Sequence, residues 1–113
     1  MALTKLILSG STNGRGIKVV ATSTLGTTIH TAHATALDEV WLWAYNSHTA
    51  DVALTIERGG VTDPDDHIVF TVPFDDGLYQ VVPGLLLTGS VVLTAFAGTA
   101  NIIGIHGYVN RYT

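Results

Sequence analysis

The stretch Glu39-Val40-Trp41-Leu42-Trp43-Ala44-Tyr45 decides how this chain is read. Side chains alternate along an extended backbone. As a strand, it therefore sends Val40, Leu42 and Ala44 to one face and Trp41, Trp43 and Tyr45 to the other. A small antiparallel sheet normally buries one face and wets the other. Here both faces are apolar and both call for cover. Only 12% of the residues are charged, about half the roughly 25% of an average domain. The expectation is a sheet protein whose surface is partly covered by copies of itself or by a larger assembly.

Outward from this stretch, turn-forming residues recur at short intervals. Gly, Pro, Asn and Asp cluster at 9–16, 22–26, 46–51, 59–66, 73–77, 83–84, 88–90 and 98–101. The runs between them are rich in Val, Ile, Thr, Tyr and Trp, a spacing typical of all-β sandwiches and barrels. Strands are predicted near 4–8, 16–21, 27–32, 38–46, 51–58, 67–72, 78–82, 90–97 and 101–111. The 46–51 segment reads as a hairpin joining two strong strands, and Arg58-Gly59-Gly60 and Pro83-Gly84 read as turns. No segment carries the i, i+3, i+4, i+7 stripe of a helix. Thr31–Ala36 has room for one helical turn, which its β-branched threonines disfavour.

Alternation also predicts the core. Val52, Leu54 and Ile56 oppose Ala53, Thr55 and Glu57; Ile68, Phe70 and Val72 oppose His67, Val69 and Thr71. Val91, Leu93, Ala95 and Ala97 oppose Val92, Thr94 and Phe96, while Ile103, Ile105 and Val109 oppose His106, Tyr108 and Tyr112. The first-named sets form the predicted interior. The second faces of 38–46, 90–97 and 101–111 carry aromatics and few charges, the composition of interface centres.

At 113 residues the chain is one domain's worth, 1–113, with residues 1–16 expected as a loose or docking N-terminal segment. There is no internal repeat. With no cysteine, neither a disulfide nor a thiolate metal site is available. The five basic residues Lys5, Arg15, Lys18, Arg58 and Arg111 are scattered and the net charge is −4, which argues against nucleic-acid binding. No apolar run approaches the ~20 residues of a membrane helix. The opening Met1–Gly10 is interrupted by Thr4 and Lys5 and reads as a first strand rather than a secretion signal.

Chemistry-bearing patterns are sparse. Asp63, Asp65, Asp66, Asp75 and Asp76 would suit a calcium ion, but the spacing of a calcium loop is missing. Turn stabilisation by Asp before Pro or Gly is the preferred reading. His30 and His33 would share a metal only on a helix; on a strand they diverge. A histidine at a subunit contact would make assembly pH-sensitive. Ser9-Gly10-Ser11 is not a nucleophile elbow, and Gly14-Arg15-Gly16 opens no helix and so forms no phosphate cradle. Trp41, Trp43 and Tyr45 would suit a sugar-stacking platform, set against plain packing on a neighbouring strand or subunit. No enzyme, cofactor or metal site is expected.

Several segments together resemble small virion proteins of tailed bacteriophages. They are Gly16–Thr22 (GIKVVAT), Gly26–Ala32 (GTTIHTA), Asp38–Asn46 (DEVWLWAYN), Gly59–Asp66 (GGVTDPDD), Val81–Leu87 (VVPGLLL), Ala95–Asn101 (AFAGTAN) and Gly107–Arg111 (GYVNR). None is a catalytic motif. The resemblance implies a β-sandwich, jelly-roll-like protein of eight or nine strands. It implies a capsid decoration, or cement, protein on the exterior of a phage head, assembled in a bacterial cytoplasm. The implied partners are its own copies, as a trimer or a dimer with the trimer favoured, and the major capsid protein. Trp41, Trp43, Tyr45, Phe96 and Tyr108 are the candidate self-association residues. Leu3, Lys5 and Arg15 are the candidate capsid contacts. A tail adaptor or fibre module, and a carbohydrate-binding sandwich, are the rival readings.

Overall fold

The computed structural model describes residues 2–113. It contains nine strands: β1 (Leu3–Ile7), β2 (Ile17–Lys18), β3 (Thr27–Thr31), β4 (Leu37–Asn46), β5 (Val52–Arg58), β6 (His67–Val72), β7 (Tyr79–Leu87), β8 (Val92–Ala97) and β9 (Ile103–Tyr112). There is no helix among the described residues. One sheet has the order β1-β9-β4-β7, with β2 also paired to β9, and the other has the order β3-β8-β5-β6. All strand pairings are antiparallel. From β3 on, every connection but that from β5 to β6 crosses between the sheets, and these two orders are those of a jelly roll. Its first strand is delivered in two pieces, β1 and β2. The spacing of the turns leads to an all-β sandwich or barrel, and the chain forms the sandwich.

The core lies between the sheets and follows the inward sets. Val40, Leu42 and Ala44 are fully buried, as are Leu54, Ile56, Ala95, Ala97, Ile105 and Val109. Each large side chain there contributes roughly 1.5–3 kcal/mol by leaving water. Much of that offsets backbone ordering, which costs about 1–2 kcal/mol per residue.

Three local expectations change. Residues 46–51 are not a hairpin, because β4 and β5 belong to different sheets. The segment is a corner between layers. Fully buried Asn46 pins it, donating from Nδ2 to the Ala50 and Val72 carbonyls and accepting the His48 amide at Oδ1. Pro83-Gly84 does not end a strand, since β7 runs through it to Leu87. β7 is an edge strand, the position in a sheet where proline is tolerated. The register shifts between Val40 and Trp41, and Gly84 at φ +78° absorbs the irregularity.

The N-terminal stretch is folded in rather than loose. β1 pairs with β9 from Leu3↔Tyr112 to Ile7↔Tyr108, and Leu8 is buried in the core. The Gly10 amide donates to the Ile29 carbonyl, and the Ser11 amide to that of Leu8. β1 is the first strand expected near 4–8; what the Gly- and Ser-rich stretch 9–16 does not announce is its tie to β3 through the Gly10 amide.

Candidate functional site

Residues directly paired across antiparallel strands project from the same face. Applied to β1, β9 and β4, this rule lays out the outer surface of the first sheet in rows. Leu3, Tyr112 and Leu37 form one row, Lys5, Asn110 and Glu39 the next, and Ile7, Tyr108 and Trp41 the third. His106 then pairs with Trp43, and Lys18, Gly104 and Tyr45 complete the series. Leu86 extends the Glu39 row onto β7.

The centre of this face is aromatic. The rings of Trp41, Trp43 and Tyr108 lie with centroids 6.0–6.5 Å apart and planes within 24° of one another. At that separation near-parallel rings are offset rather than overlaid, so they leave part of their π-surfaces free. A Cβ at Gly84 would stand 2.7 Å from Cζ2 of Trp41, so the glycine makes room for the indole. Around the rings, Leu3, Ile7, Leu37 and Leu86 are 57%, 53%, 40% and 50% exposed. Each of these large apolar side chains leaves about half of its surface in water.

Two charged side chains sit among them. The Lys5 ammonium lies 5.0 Å from the Tyr108 ring centroid, in cation–π range. Glu39 accepts the Trp41 indole N–H at 2.7 Å, the Asn110 amide at 3.0 Å and the Tyr112 hydroxyl at 3.4 Å. The bonds from Trp41 and Asn110 hold its carboxyl below the ordinary range. Neither Lys5 nor Glu39 makes a salt bridge among the described residues.

Of the candidate self-association residues, the structure gathers Trp41, Trp43 and Tyr108, with Tyr45 one row beyond the rings. Its hydroxyl donates to Asp75, a bond that raises the Tyr45 pKa. Phe96 is elsewhere. It belongs to β8 on the opposite sheet, where its ring meets His67 edge-on at 6.3 Å. The candidate capsid contacts divide as well. Leu3 and Lys5 share the aromatic face, whereas Arg15 lines a shallow depression with Ser11, Thr12 and Lys18. Glu39 and Asn110 are members of the face that sequence reasoning missed. Alternation carried the signal, since Glu39 stands two residues before Trp41 and Asn110 two after Tyr108; that the two lie side by side follows only from β9 pairing with β4.

Two buried charged clusters were also illegible in the sequence. Fully buried Asp38 closes one end of the sandwich, accepting Nε and Nη2 of Arg111 at 2.7 and 2.9 Å, Nε2 of His30 at 2.8 Å and the His33 amide at 3.2 Å. Burial pushes its pKa up, but the bonds from Arg111 and His30 and the Arg111 charge outweigh this and bring it to about 2. The Nδ1 atom of His30 accepts the Ser9 amide, so its proton sits on Nε2, facing Asp38. The trio Ser9, His30 and Asp38 has the composition of a catalytic triad but not its geometry. The imidazole acceptor is occupied by a backbone amide, and the serine hydroxyl instead accepts from the Thr31 amide.

Glu57, predicted to face outward, is fully buried because the 22–26 segment folds over it. It accepts the hydroxyls of Thr24 and Thr94 and the Gly26 amide. Its burial opposes ionisation, yet those bonds and nearby His67 keep its pKa below the ordinary value.

The acidic loop residues go to separate tasks. Asp66 accepts the Thr62 amide, Asp75 and Asp76 take the hydroxyls of Tyr45 and Tyr79, and Asp63 lies 3.7 Å from His67. The His33 ring caps its own turn by accepting the Ala36 amide. No group of three or more metal-ligating side chains converges among the described residues.

Comparison of the chain with protein-family profiles, with curated proteins and with solved structures returned no match. The surface that the fold and geometry single out is therefore defined by its own chemistry: the aromatic outer face of a jelly-roll sandwich.

Proposed function

We propose that this protein is a non-enzymatic structural component of a tailed-bacteriophage particle, a decoration protein that braces the outside of the head. One observation carries the reading: the broad outer face of the β1-β9-β4-β7 sheet, with Trp41, Trp43 and Tyr108 at its centre and half-exposed Leu3, Ile7, Leu37 and Leu86 around them. Contiguous apolar surface of this kind marks an interaction site, and aromatic residues dominate the energetics of such sites. The jelly roll supports the reading, because that architecture recurs in viral shells, although a fold alone assigns no function. The two buried acids support it too. Asp38 and Glu57 spend their oxygens on this chain's own donors.

In this reading the aromatic face joins copies of the protein, with Leu3 and Lys5 contributing to it. The Arg15 end meets the major capsid protein. The protein binds the assembled lattice and not its free subunits, so occupancy lowers the free energy of the shell by mass action. Many weak contacts repeated by symmetry resist the pressure of packaged DNA.

The test is co-sedimentation of the purified protein with heads of the parent phage that lack it, together with the temperature at which those heads release DNA. Saturable binding and a raised release temperature are expected. No binding to heads, with immunogold label on the tail instead, would assign the protein to the tail. A second reading rests on the offset rings beside Lys5, Glu39 and Asn110, an arrangement suited to stacking a sugar. Tryptophan fluorescence that stays unchanged across a glycan panel eliminates it.

A further inference from the structure

The aromatic face is self-complementary about β9. We infer that it pairs two copies of this chain face to face about a two-fold axis running along β9, with Lys5 of each copy bonded to Glu39 of the other. The inference rests on the self-association reading above and commits it to one geometry.

The argument starts from the rows. β1 and β4 flank β9 on either side. A two-fold axis in the plane of the interface and parallel to β9 exchanges left with right and keeps each row at its own height. Every β1 side chain then meets its row-mate on β4 of the second copy. Leu3 meets Leu37, Lys5 meets Glu39, and Ile7 meets Trp41, while Lys18 on β2 meets Tyr45. Apolar meets apolar, cation meets carboxylate, and cation meets an aromatic ring. An isologous interface has this reciprocal character, each contact occurring twice.

Charge placement favours this axis over the alternatives. Lys5 and Glu39 share a row but are separated by β9, roughly 10 Å across two strand spacings, and neither makes a salt bridge among the described residues of its own chain. Packed sheets stand about 10 Å apart, a gap that a lysine and a glutamate bridge together. An in-plane axis perpendicular to the strands would instead invert the order of the rows, and only the central row would keep its height. Packed sheets cross at about −30°, which moves outlying rows out of register. The row of Ile7, Tyr108 and Trp41 is central and that of Lys5, Asn110 and Glu39 is its neighbour, so both survive the twist.

Size is sufficient. The molecule measures 45 × 28 × 21 Å, and its broad face has room for the roughly 800 Å² per partner of a standard interface. The pairing departs from the trimer implied by the phage resemblance.

The test uses two charge reversals, Lys5→Glu and Glu39→Lys, in the otherwise intact chain, followed by sedimentation equilibrium. The wild-type protein is expected to sediment as a dimer. Each variant alone places like charges opposite one another twice and should associate at least tenfold more weakly. An equimolar mixture restores two attractive pairs and should recover a dimer containing one copy of each. Glu39→Lys also removes the acceptor for Trp41 and Asn110, so a second measurement is made on unmutated protein. Carbodiimide coupling should yield a covalent dimer whose cross-linked peptide joins Lys5 to Glu39.

A wild-type trimer, an associating wild type whose variants do not recover on mixing, or a covalent dimer without the Lys5–Glu39 link would overturn the two-fold pairing and leave self-association standing. A wild-type chain that remains monomeric to millimolar concentration would remove both.

Discussion

Asp38→Asn is the most informative single change for testing how the sandwich is closed. The substitution keeps the shape of the side chain and removes its charge. In the native chain the Asp38 carboxyl has a pKa of about 2 against an ordinary 3.8. At 1.36 kcal/mol per pH unit, that difference corresponds to roughly 2 kcal/mol of stability at neutral pH. An asparagine also turns an NH₂ group toward Arg111 or His30, leaving a buried donor unsatisfied for about 1–3 kcal/mol more. Arg111 keeps 24% of its side chain in water, which screens part of the loss. The expected total is about 3 kcal/mol, at the lower end of the range for breaking a buried ion pair.

The assay is urea unfolding followed by tryptophan fluorescence, with both proteins at the same low concentration because association adds apparent stability. The sign of the pH dependence follows from the lowered pKa. The folded protein favours the ionised form, so the Asp38 contribution is complete above the ordinary carboxyl pKa of about 4 and is lost as pH falls toward 2. The gap between wild type and variant should be constant from pH 7 to 5 and should narrow below 4. A gap under about 1 kcal/mol at pH 7, or one as wide at pH 2.5 as at pH 7, would refute the reasoning.

Other outcomes follow from the same geometry. Trp41→Ala with Trp43→Ala should raise the dissociation constant for self-association at least a hundredfold in sedimentation equilibrium, since central aromatic residues carry about 2 kcal/mol or more each; an unchanged constant would remove the face from assembly. Phe96→Ala, on the opposite sheet, should lower the urea midpoint yet leave that constant alone. Gly84→Val places side-chain atoms against the Trp41 indole at a backbone φ of +78°. It should cost about 1–3 kcal/mol and change the near-ultraviolet dichroism of the tryptophans, whereas an unaltered spectrum would mean that the indole does not rest there. Arg15→Glu should weaken binding to phage heads without altering self-association, and equal binding by wild type and variant would move the capsid contact elsewhere.

The strand periodicity was enough to read the architecture. Val40, Leu42 and Ala44 fell inward as alternation demands, because period-two patterning is a local property of an extended chain. The outward placement of Trp41, Trp43 and Tyr45 was legible for the same reason. Glu39 shares that face by the same alternation, but the partnership of Trp41 and Trp43 with Tyr108, and the presence of Lys5 beside them, were not legible. Those residues meet only because β9 lies between β1 and β4, and strand order is set by long-range pairing that no single segment records.

Local signals also misled where tertiary position changed their meaning. Pro83-Gly84 looks like a turn in any window of sequence, but on an edge strand it is a kink that seats an indole. Glu57 alternates outward, as a solvent-facing acid would, and the 22–26 segment then closes over it. The sequence by itself determined a low-charge, all-β chain with strands apolar on both faces, since composition and alternation are written residue by residue. It took the folded chain to put the aromatic faces of β4 and β9 side by side with β1 and to bury Asp38 and Glu57, because hydrogen-bonded strand order and layer packing bring together residues more than a hundred positions apart.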